Sequence, residues 1–220
     1  MIAPPPPAEA PALFETMRLG PGGVAFDDRH RARLTASAAA FGYRFDPAAF
    51  DALVAARLDA MPEGSAPVIL RVTLAPGGAL AASVRPLDVL PNPLRIGPSP
   101  VRIRSDDARL RHKSTDRAPY DACLLTARAA GLDDAVLFNE RGEATELARF
   151  SLFANVGGGL VTPPLACGLL PGVLRAHLLS TGEAREAVLR HDDLRAAQAI
   201  FAGNAARGLL RVAWVEDAKL

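Results

Sequence analysis

The chain is poor in lysine. Among its 25 lysines and arginines only Lys113 and Lys219 are lysines, and Lys219 stands next to the C-terminus. Cysteine is equally scarce. Cys123 and Cys167 lie far apart with no C-x-x-C spacing, which excludes a disulfide framework or a thiolate metal site and fits a reduced, cytoplasmic setting. Aromatic residues make up 5%, too few for a base-stacking surface. The formal net charge is +1, so no strong field draws the chain to nucleic acid or to an anionic membrane. There is no G-x-G-x-x-G, no G-x-x-x-x-G-K-[ST], no H-E-x-x-H and no G-x-S-x-G, which removes support for dinucleotide, P-loop, zincin and nucleophile-elbow readings. The four histidines, His30, His112, His177 and His191, have no metal-ligand spacing. The opening "MIAPPPPAEAPA" has neither a basic nor an apolar signal region and reads as a proline-rich tail or linker over residues 1–12.

What is present suits a folded core. The 220 residues are 50% hydrophobic and 22% charged, enough for one large domain or two small ones. The run from 150 to 174 carries no charge, but it holds "GGG" at 157–159 and prolines at 163, 164 and 171. Such a run cannot hold a continuous spanning helix and reads as buried strand and loop near a site. "LFETMRL" (13–19) alternates as a strand, with "GPGG" as its turn. "DDRHRARLTASAAAFG" reads as a helix capped by Asp27 and ended by Gly42, and "DPAAFDALVAARLDA" as a second with Asp46 as N-cap and Pro47 at its first position. "APVILRVTLAPGGALAASVRPL" reads as a hairpin around "PGG". "PNPLRIGPSPVRI" is extended and crosses toward a second domain. A helix follows over 116–131, capped by Asp116. Next come two strands around "ERGE", a helix from Pro171, a helix over "DDLRAAQAIFAGN" and a final strand "GLLRVAWVE". Helices and strands without strict alternation indicate an α+β class. The expected division is a small α+β domain at 13–104, a connection at 105–112 and a larger α+β domain at 113–220.

Several residues could carry chemistry. Lys113, in "RLRHKSTDRAPYD", precedes a helix start. Desolvation and a helix N-terminus would lower its pKa toward the neutral amine that Schiff-base chemistry needs. Taken alone, a solvated surface lysine is the simpler reading. Glu146 in "NERGEATELARF" could face a protonated ligand nitrogen or simply solvent. "GLLPGVLR" offers helix N-terminal amides to an anion, with Gly172 permitting close approach. "AGNAARG" (202–208) offers a second small-residue turn. Arg33 in "HRARL" could clamp an anion, though a solvated face explains it as well.

The order "HRARL … RHKSTDRAPYD … NERGEATE … TPPLACGLLPGVLR … AGNAARG" resembles the fold-type IV pyridoxal-phosphate enzymes. It is most similar to the 4-amino-4-deoxychorismate lyases, in particular the lyase portion fused behind aminodeoxychorismate synthase. "HKST" followed by arginine and tyrosine, and "TPPLxCGLLPGVxR", are the specific parts; the resemblance runs from about Leu13 to the C-terminus. It implies a two-domain α+β fold with pyridoxal 5'-phosphate between the domains. Lys113 then matches the lysine that joins the cofactor and moves the proton, and Glu146 the carboxylate on the pyridine nitrogen. Arg33 matches the phosphate-binding arginine. Val173 and Leu174 match backbone donors to that phosphate, and Asn204 and Ala205 the second donor turn.

The resemblance also implies a homodimer, a lyase activity giving 4-aminobenzoate and pyruvate, and a link to aminodeoxychorismate synthase. Two departures stand out. A "DRG…YGDG" segment that usually precedes the "FET" strand is absent, with the proline stretch in its place, as in the fused form. Ser151 stands where an asparagine is usual. Substrate-carboxylate binders are not identified by any motif; Arg18, Arg149 and Arg175 are candidates by charge alone. An aminotransferase for branched-chain or D-amino acids, and an inactive cofactor-binding relic, are the alternative readings.

Overall fold

The structure, a computed structural model, describes residues 10–216. The proline-rich expectation for residues 1–12 therefore lies largely outside the described residues. The first strand, β1 (Leu13–Gly20), turns through Pro21 and Gly22 into a short β2 (Gly23–Val24). Helix α1 (Asp27–Phe41) follows, then α2 (Pro47–Asp59) and the hairpin β3 (Val68–Leu74) and β4 (Leu80–Pro86). These strands form an antiparallel sheet in the order β2-β1-β3-β4. Alternation in β1 sends Leu13, Met17 and Leu19 to one face, where they pack with Leu34 and Ala38 of α1, Phe50 of α2 and Leu70, Val72 and Leu74 of β3. Helix α1 meets this face through His30, Leu34, Ser37 and Ala38, spaced by three or four residues as one helical stripe requires. The other face of the sheet carries Phe14, Thr16, Ile69, Arg71 and Arg85 and forms one wall of a cleft.

Of the first two helix starts, one follows expectation and one does not. Asp46 caps α2 through Ala48 N–H at 2.9 Å, as its sequence indicates. At α1 the N-cap is Phe26 in the left-handed region (φ 60°). Its ring lies 4.9 Å from that of His177, so a tertiary contact sets the entry of the chain, and Asp27 becomes the first helical residue. Gly42 ends α1 in the left-handed conformation (φ 68°), as expected.

The second sheet begins earlier than predicted. Residues 94–103 were assigned to the smaller unit and to a crossing, but they form β5 (Leu94–Ile103), hydrogen-bonded in parallel to strands on both sides. The change of sheet thus falls between β4 and β5, ahead of the expected 105–112 connection, which holds a 3-10 turn at Ala108–Arg111. The prolines that disguised this strand sit where its register shifts, between Pro98 and Arg102, a position that tolerates a missing donor. Helix α3 (Ala118–Ala129) follows, starting after Arg117 instead of at Asp116, whose carboxylate pairs with Arg109 at 3.3 Å.

Three strands, not two, come next: β6 (Asp134–Asn139), β7 (Ala144–Leu147) and β8 (Ser151–Asn155). "ERGE" makes the first turn, and a tight reversal at 148–150, closed by Leu147 N–H to Phe150 O at 2.8 Å, makes the second. Strand β9 (Leu160–Thr162), α4 (Val173–Ser180), β10 (Ala184–Glu186), α5 (His191–Ala196), β11 (Ala199–Asn204) and β12 (Gly208–Trp214) complete the chain. The predicted helix over "DDLRAAQAIFAGN" stops at Ala196. "AIFAGN" instead pairs with β8 on one edge and β12 on the other, where two ladders outweigh a modest helical propensity. Because β7 pairs with β8 as well as with β6, the strands β8-β11-β12-β5-β6-β7 close into a barrel, with β9 and β10 extending from β8. Its interior holds Leu94, Ile96, Val136, Leu152, Ala154 and Ala202, all fully buried. The uncharged 150–174 run is strand and loop, as its glycines and prolines require. Among the described residues no helix is long and apolar enough to cross a membrane.

Candidate active site

Lys113 is fixed where the two sheets meet. Phe14 N–H donates to Lys113 O at 2.9 Å, Thr115 N–H to Ala12 O at 2.8 Å, and Leu13 bridges to Ser114. On the other side His112 Nδ1 lies 3.0 Å from Ser37 Oγ of α1. The segment is thus stapled to β1 and to α1, and the lysine amine stands 4.6 Å from the centre of the Phe14 ring. It opens into a cleft of about 370 Å³ between the four-stranded sheet and the barrel. Among the described residues the amine has no ion-pair partner. Burial, and then the Arg33 charge, hold its pKa down at about 7, with Glu15 and Glu146 acting in the opposite direction. The expected helix N-terminus is not the cause, since α3 begins five residues further on.

Glu146, on β7, is buried at the same cleft. Its Oε1 accepts from Leu170 N–H at 2.9 Å and from the Tyr120 hydroxyl at 2.8 Å. Its Oε2 has no partner among the described residues. Burial pushes the carboxyl up to about 7 against the hydrogen bonds from Leu170 and Tyr120. Burial also raises the Tyr120 hydroxyl, aided by the Glu146 charge, which keeps it a donor. The motif contained Tyr120, but its role as the carboxylate's orienting partner appears only in the fold.

Arg33 lines the cleft, but it is not a free cation. Its Nε donates to Glu15 Oε1 at 2.8 Å, Nη2 to Glu15 Oε2 at 2.5 Å and Nη1 to Pro171 O at 3.1 Å. His30 Nδ1 lies 2.6 Å from the same Oε2. Burial alone would raise the Glu15 carboxyl; the Arg33 charge and the hydrogen bonds from His30 and Arg33 outweigh it and hold it at about 2. Sequence reasoning missed Glu15 and His30. The signal was there: a carboxylate on the core-facing phase of β1, and a histidine three residues before Arg33 on the buried stripe of α1.

Two turns with backbone N–H groups unpaired among the described residues form a candidate anion cradle. Helix α4 starts at Val173 after Gly172, two residues later than predicted. The N–H groups of Val173 and Leu174 have no acceptor among the described residues, as a first helical turn leaves them. A side chain at Gly172 would meet Ser151 Oγ, so it would fit only if that hydroxyl turned away; its φ of −62° places no demand for glycine. The residue where family members usually carry asparagine thus sits against the cradle. Across it, Asn204 organises its own turn: Oδ1 accepts from Ala206 and Arg207 N–H, both at 3.1 Å, and Nδ2 donates to Arg149 O at 3.3 Å. Ala205, at the tip, has an N–H without an acceptor among the described residues and lines the cleft.

The three arginines chosen by charge are dispersed. Arg18 is exposed on β1 and lies outside the cleft lining. Arg175 is buried in α4, bound to Pro163 O at 2.8 Å and to Glu186, and does not reach the cleft. Only Arg149 lines it, held by Asp134 at 3.3 Å and by Asp133 O at 2.7 Å. Their spacing in sequence carried no information on which face each would occupy. Lys113, Glu146, Arg33, Val173, Leu174, Asn204 and Ala205 all line one cleft.

A small antiparallel sheet set against a barrel, with a lysine at their junction, is the fold of the fold-type IV pyridoxal-phosphate enzymes. The chain belongs to the class IV amino-transferase family, whose model matches residues 12–215. A Mesorhizobium loti structure named "Putative amino-acid aminotransferase" superimposes with a TM-score of 0.87 at 38% identity, covering 94% of this chain and all of the other. A Legionella pneumophila structure named "Putative 4-amino-4-deoxychorismate lyase" gives 0.81 at 25% identity over 94% of this chain and 83% of that one. A Schizosaccharomyces pombe protein named "Putative aminodeoxychorismate lyase" is 31% identical over 101 residues, which is 44% of this chain and 44% of that curated relative. A Brucella abortus aminotransferase bound to the cofactor PLP shares the fold, with a TM-score of 0.82 at 22% identity over 94% of this chain and 82% of that one.

Proposed function

We propose that the chain is a pyridoxal-phosphate-dependent lyase that converts 4-amino-4-deoxychorismate to 4-aminobenzoate and pyruvate. The observation that carries the cofactor reading is the pairing of two groups across one cleft: the half-buried Lys113 amine, without an ion-pair partner among the described residues, and the buried Glu146 carboxylate with its open Oε2. The residues fit the group. Val173, Leu174 and Ala205 N–H would receive the phosphate, beside the Arg33 guanidinium, and Glu146 Oε2 would hold the proton of the pyridine nitrogen. The cofactor, when bound, supplies an electron sink next to the substrate amine.

The chain's own groups do the rest. Lys113, with a pKa of about 7, has a substantial neutral fraction at physiological pH, so its Nζ can act as nucleophile and then as base. Nζ takes the proton from the amine-bearing ring carbon. The carbon–oxygen bond to the enolpyruvyl group breaks, and that group leaves with a proton as pyruvate while the ring becomes aromatic. Tyr120 and Leu170 N–H keep Glu146 oriented throughout. The same reading pairs the chain with an aminodeoxychorismate synthase that would make its substrate, and with a second copy of itself as a homodimer.

Support for the lyase comes from "HKSTDRAPYD" with "TPPLACGLLPGVLR" and from the names carried by the S. pombe and L. pneumophila proteins. A second reading, an aminotransferase, is favoured by the 38% identity to the M. loti structure. The two diverge after proton removal, because a transaminase needs a keto-acid acceptor and leaves the amine on the cofactor. Purified protein with the cofactor and aminodeoxychorismate should give pyruvate and 4-aminobenzoate in equal amounts, with no acceptor added. Amine transfer from D-alanine or leucine, with no pyruvate from aminodeoxychorismate, would overturn the lyase for the transaminase.

A further inference from the structure

The cleft wall formed by the four-stranded sheet holds a cation without a partner among the described residues. Six arginines line the cleft, and five have acceptors within the protein. Arg33 binds Glu15, Arg85 binds Asp88 and Arg149 binds Asp134. Arg117 donates to Ala148 O at 2.8 Å, and Arg207 to Asp88 O at 2.5 Å. Arg71, among the described residues, has neither a carboxylate nor a carbonyl acceptor. Its guanidinium lies over an aromatic instead, with Cζ 3.6 Å from the centre of the Phe14 ring.

Its neighbours worsen its isolation. In the antiparallel pairing Arg71 faces Ser83 while Ile69 faces Arg85, so Arg71 and Arg85 are diagonal neighbours on one sheet face, within reach of long side chains. Burial, followed by the charges of Arg117 and Arg85, lowers the pKa of Arg71. A half-buried guanidinium crowded by like charge is costly to keep unless an anion joins it. Phe14 fixes where that anion would lie. The Lys113 amine stands 4.6 Å from the centre of the ring that carries Arg71, so the two cationic groups share one aromatic platform. Across it, Thr16 faces Arg71 in the β1–β3 register and also lines the cleft.

We propose that Arg71 is a specificity-determining residue that binds a substrate carboxylate remote from the reacting amine, with Phe14 holding its guanidinium plane toward the cleft. Resting on the lyase reading, this assigns Arg71 to the ring carboxylate, which product retains and which a flat ring separates from the amine addressed by Lys113. A planar fork suits a carboxylate bidentately, and Arg85 and Arg117 add to the field without being required as ligands.

The test uses protein loaded with pyridoxal phosphate and two probes of equal shape, 4-aminobenzoate and 4-aminobenzamide, titrated by cofactor absorbance. The wild type should prefer the acid by about 10- to 100-fold, the range of one charge-assisted contact. Arg71→Gln should remove that preference while leaving amide affinity unchanged. Arg71→Lys, which keeps charge and stem but not the fork, should retain part of it and keeps the test readable if the glutamine variant does not fold. No acid preference in the wild type, or a preference intact in both variants, overturns the assignment. Binding needs no turnover, so the two readings separate. Acid preference lost in Arg71→Gln in a protein that makes no pyruvate keeps the subsite and drops the lyase. Pyruvate formation with the preference untouched does the reverse.

Discussion

Replacing Glu15 with glutamine tests the least expected part of the site without reference to any reaction. Glu15 is 1% exposed and carries two hydrogen bonds from Arg33 and one contact with His30. Its carboxyl is held at about 2 against an ordinary 4.5, which corresponds to about 3 kcal/mol of stabilisation of the charged form in the folded protein. Breaking a buried pair by removing one charge costs about 3–5 kcal/mol, so both routes give the same scale. The sign follows from a depressed folded pKa: the contribution is full above pH 4.5 and is lost as pH falls from there toward 2. In urea denaturation of the cofactor-free protein, Glu15→Gln should therefore unfold about 3 kcal/mol more easily at pH 7. The gap from wild type should close progressively as pH drops from about 4.5 to about 2. A neutral-pH gap under about 1 kcal/mol, or one that stays constant on acidification, would refute the view that an ionised Glu15 anchors Arg33.

Two further outcomes concern the reacting groups. Borohydride reduction after incubation with pyridoxal phosphate should place the pyridoxyl group on Lys113 in a peptide map. Capture should rise with pH through about 7, where this amine loses its proton; label confined to Lys219 or the N-terminus would contradict it. Glu146→Gln keeps the hydrogen bond from Tyr120 but removes the charge at Oε2. Turnover at saturating cofactor should then fall about 100-fold or more, and unchanged turnover would remove Glu146 from its assigned place.

Much of the fold was legible because its signals are local. Asp46 and Pro47 start α2 by chemistry contained in two residues, and the alternation of β1 needs no partner to be read. The errors lie where distant contacts decide. Phe26 enters α1 because His177, some 150 residues on, packs against its ring. "AIFAGN" becomes β11 because β8 and β12 both offer it a ladder. Strand β5 was hidden by its prolines, which reside at a register shift that no single strand's sequence can reveal. The turn at 148–150 is short enough that two strands read as one.

The site divides in the same way, and the division shows what a motif can carry. Lys113, Glu146 and the turns at 172–174 and 204–206 stand out in the sequence because each lies within a short, specific string, and the structure brings them to one cleft. Arg33 stands out by its string too, but its pairing does not, since Glu15 meets it from another element. That changes the physics of the anion cradle. An Arg33–Glu15 pair has little net charge to offer, so a bound phosphate would depend more on the free N–H groups of Val173, Leu174 and Ala205, and on the guanidinium as a rigid donor, than on bare attraction. The arginine without an acceptor among the described residues lies instead at Arg71, on the wall formed by the four-stranded sheet, where strand alternation placed it beside Phe14. Charge alone pointed to Arg18, Arg149 and Arg175; the partner each arginine finds after folding points to Arg71. In a cleft lined by six arginines, the one without an acceptor among the described residues marks where an incoming anion would gain most.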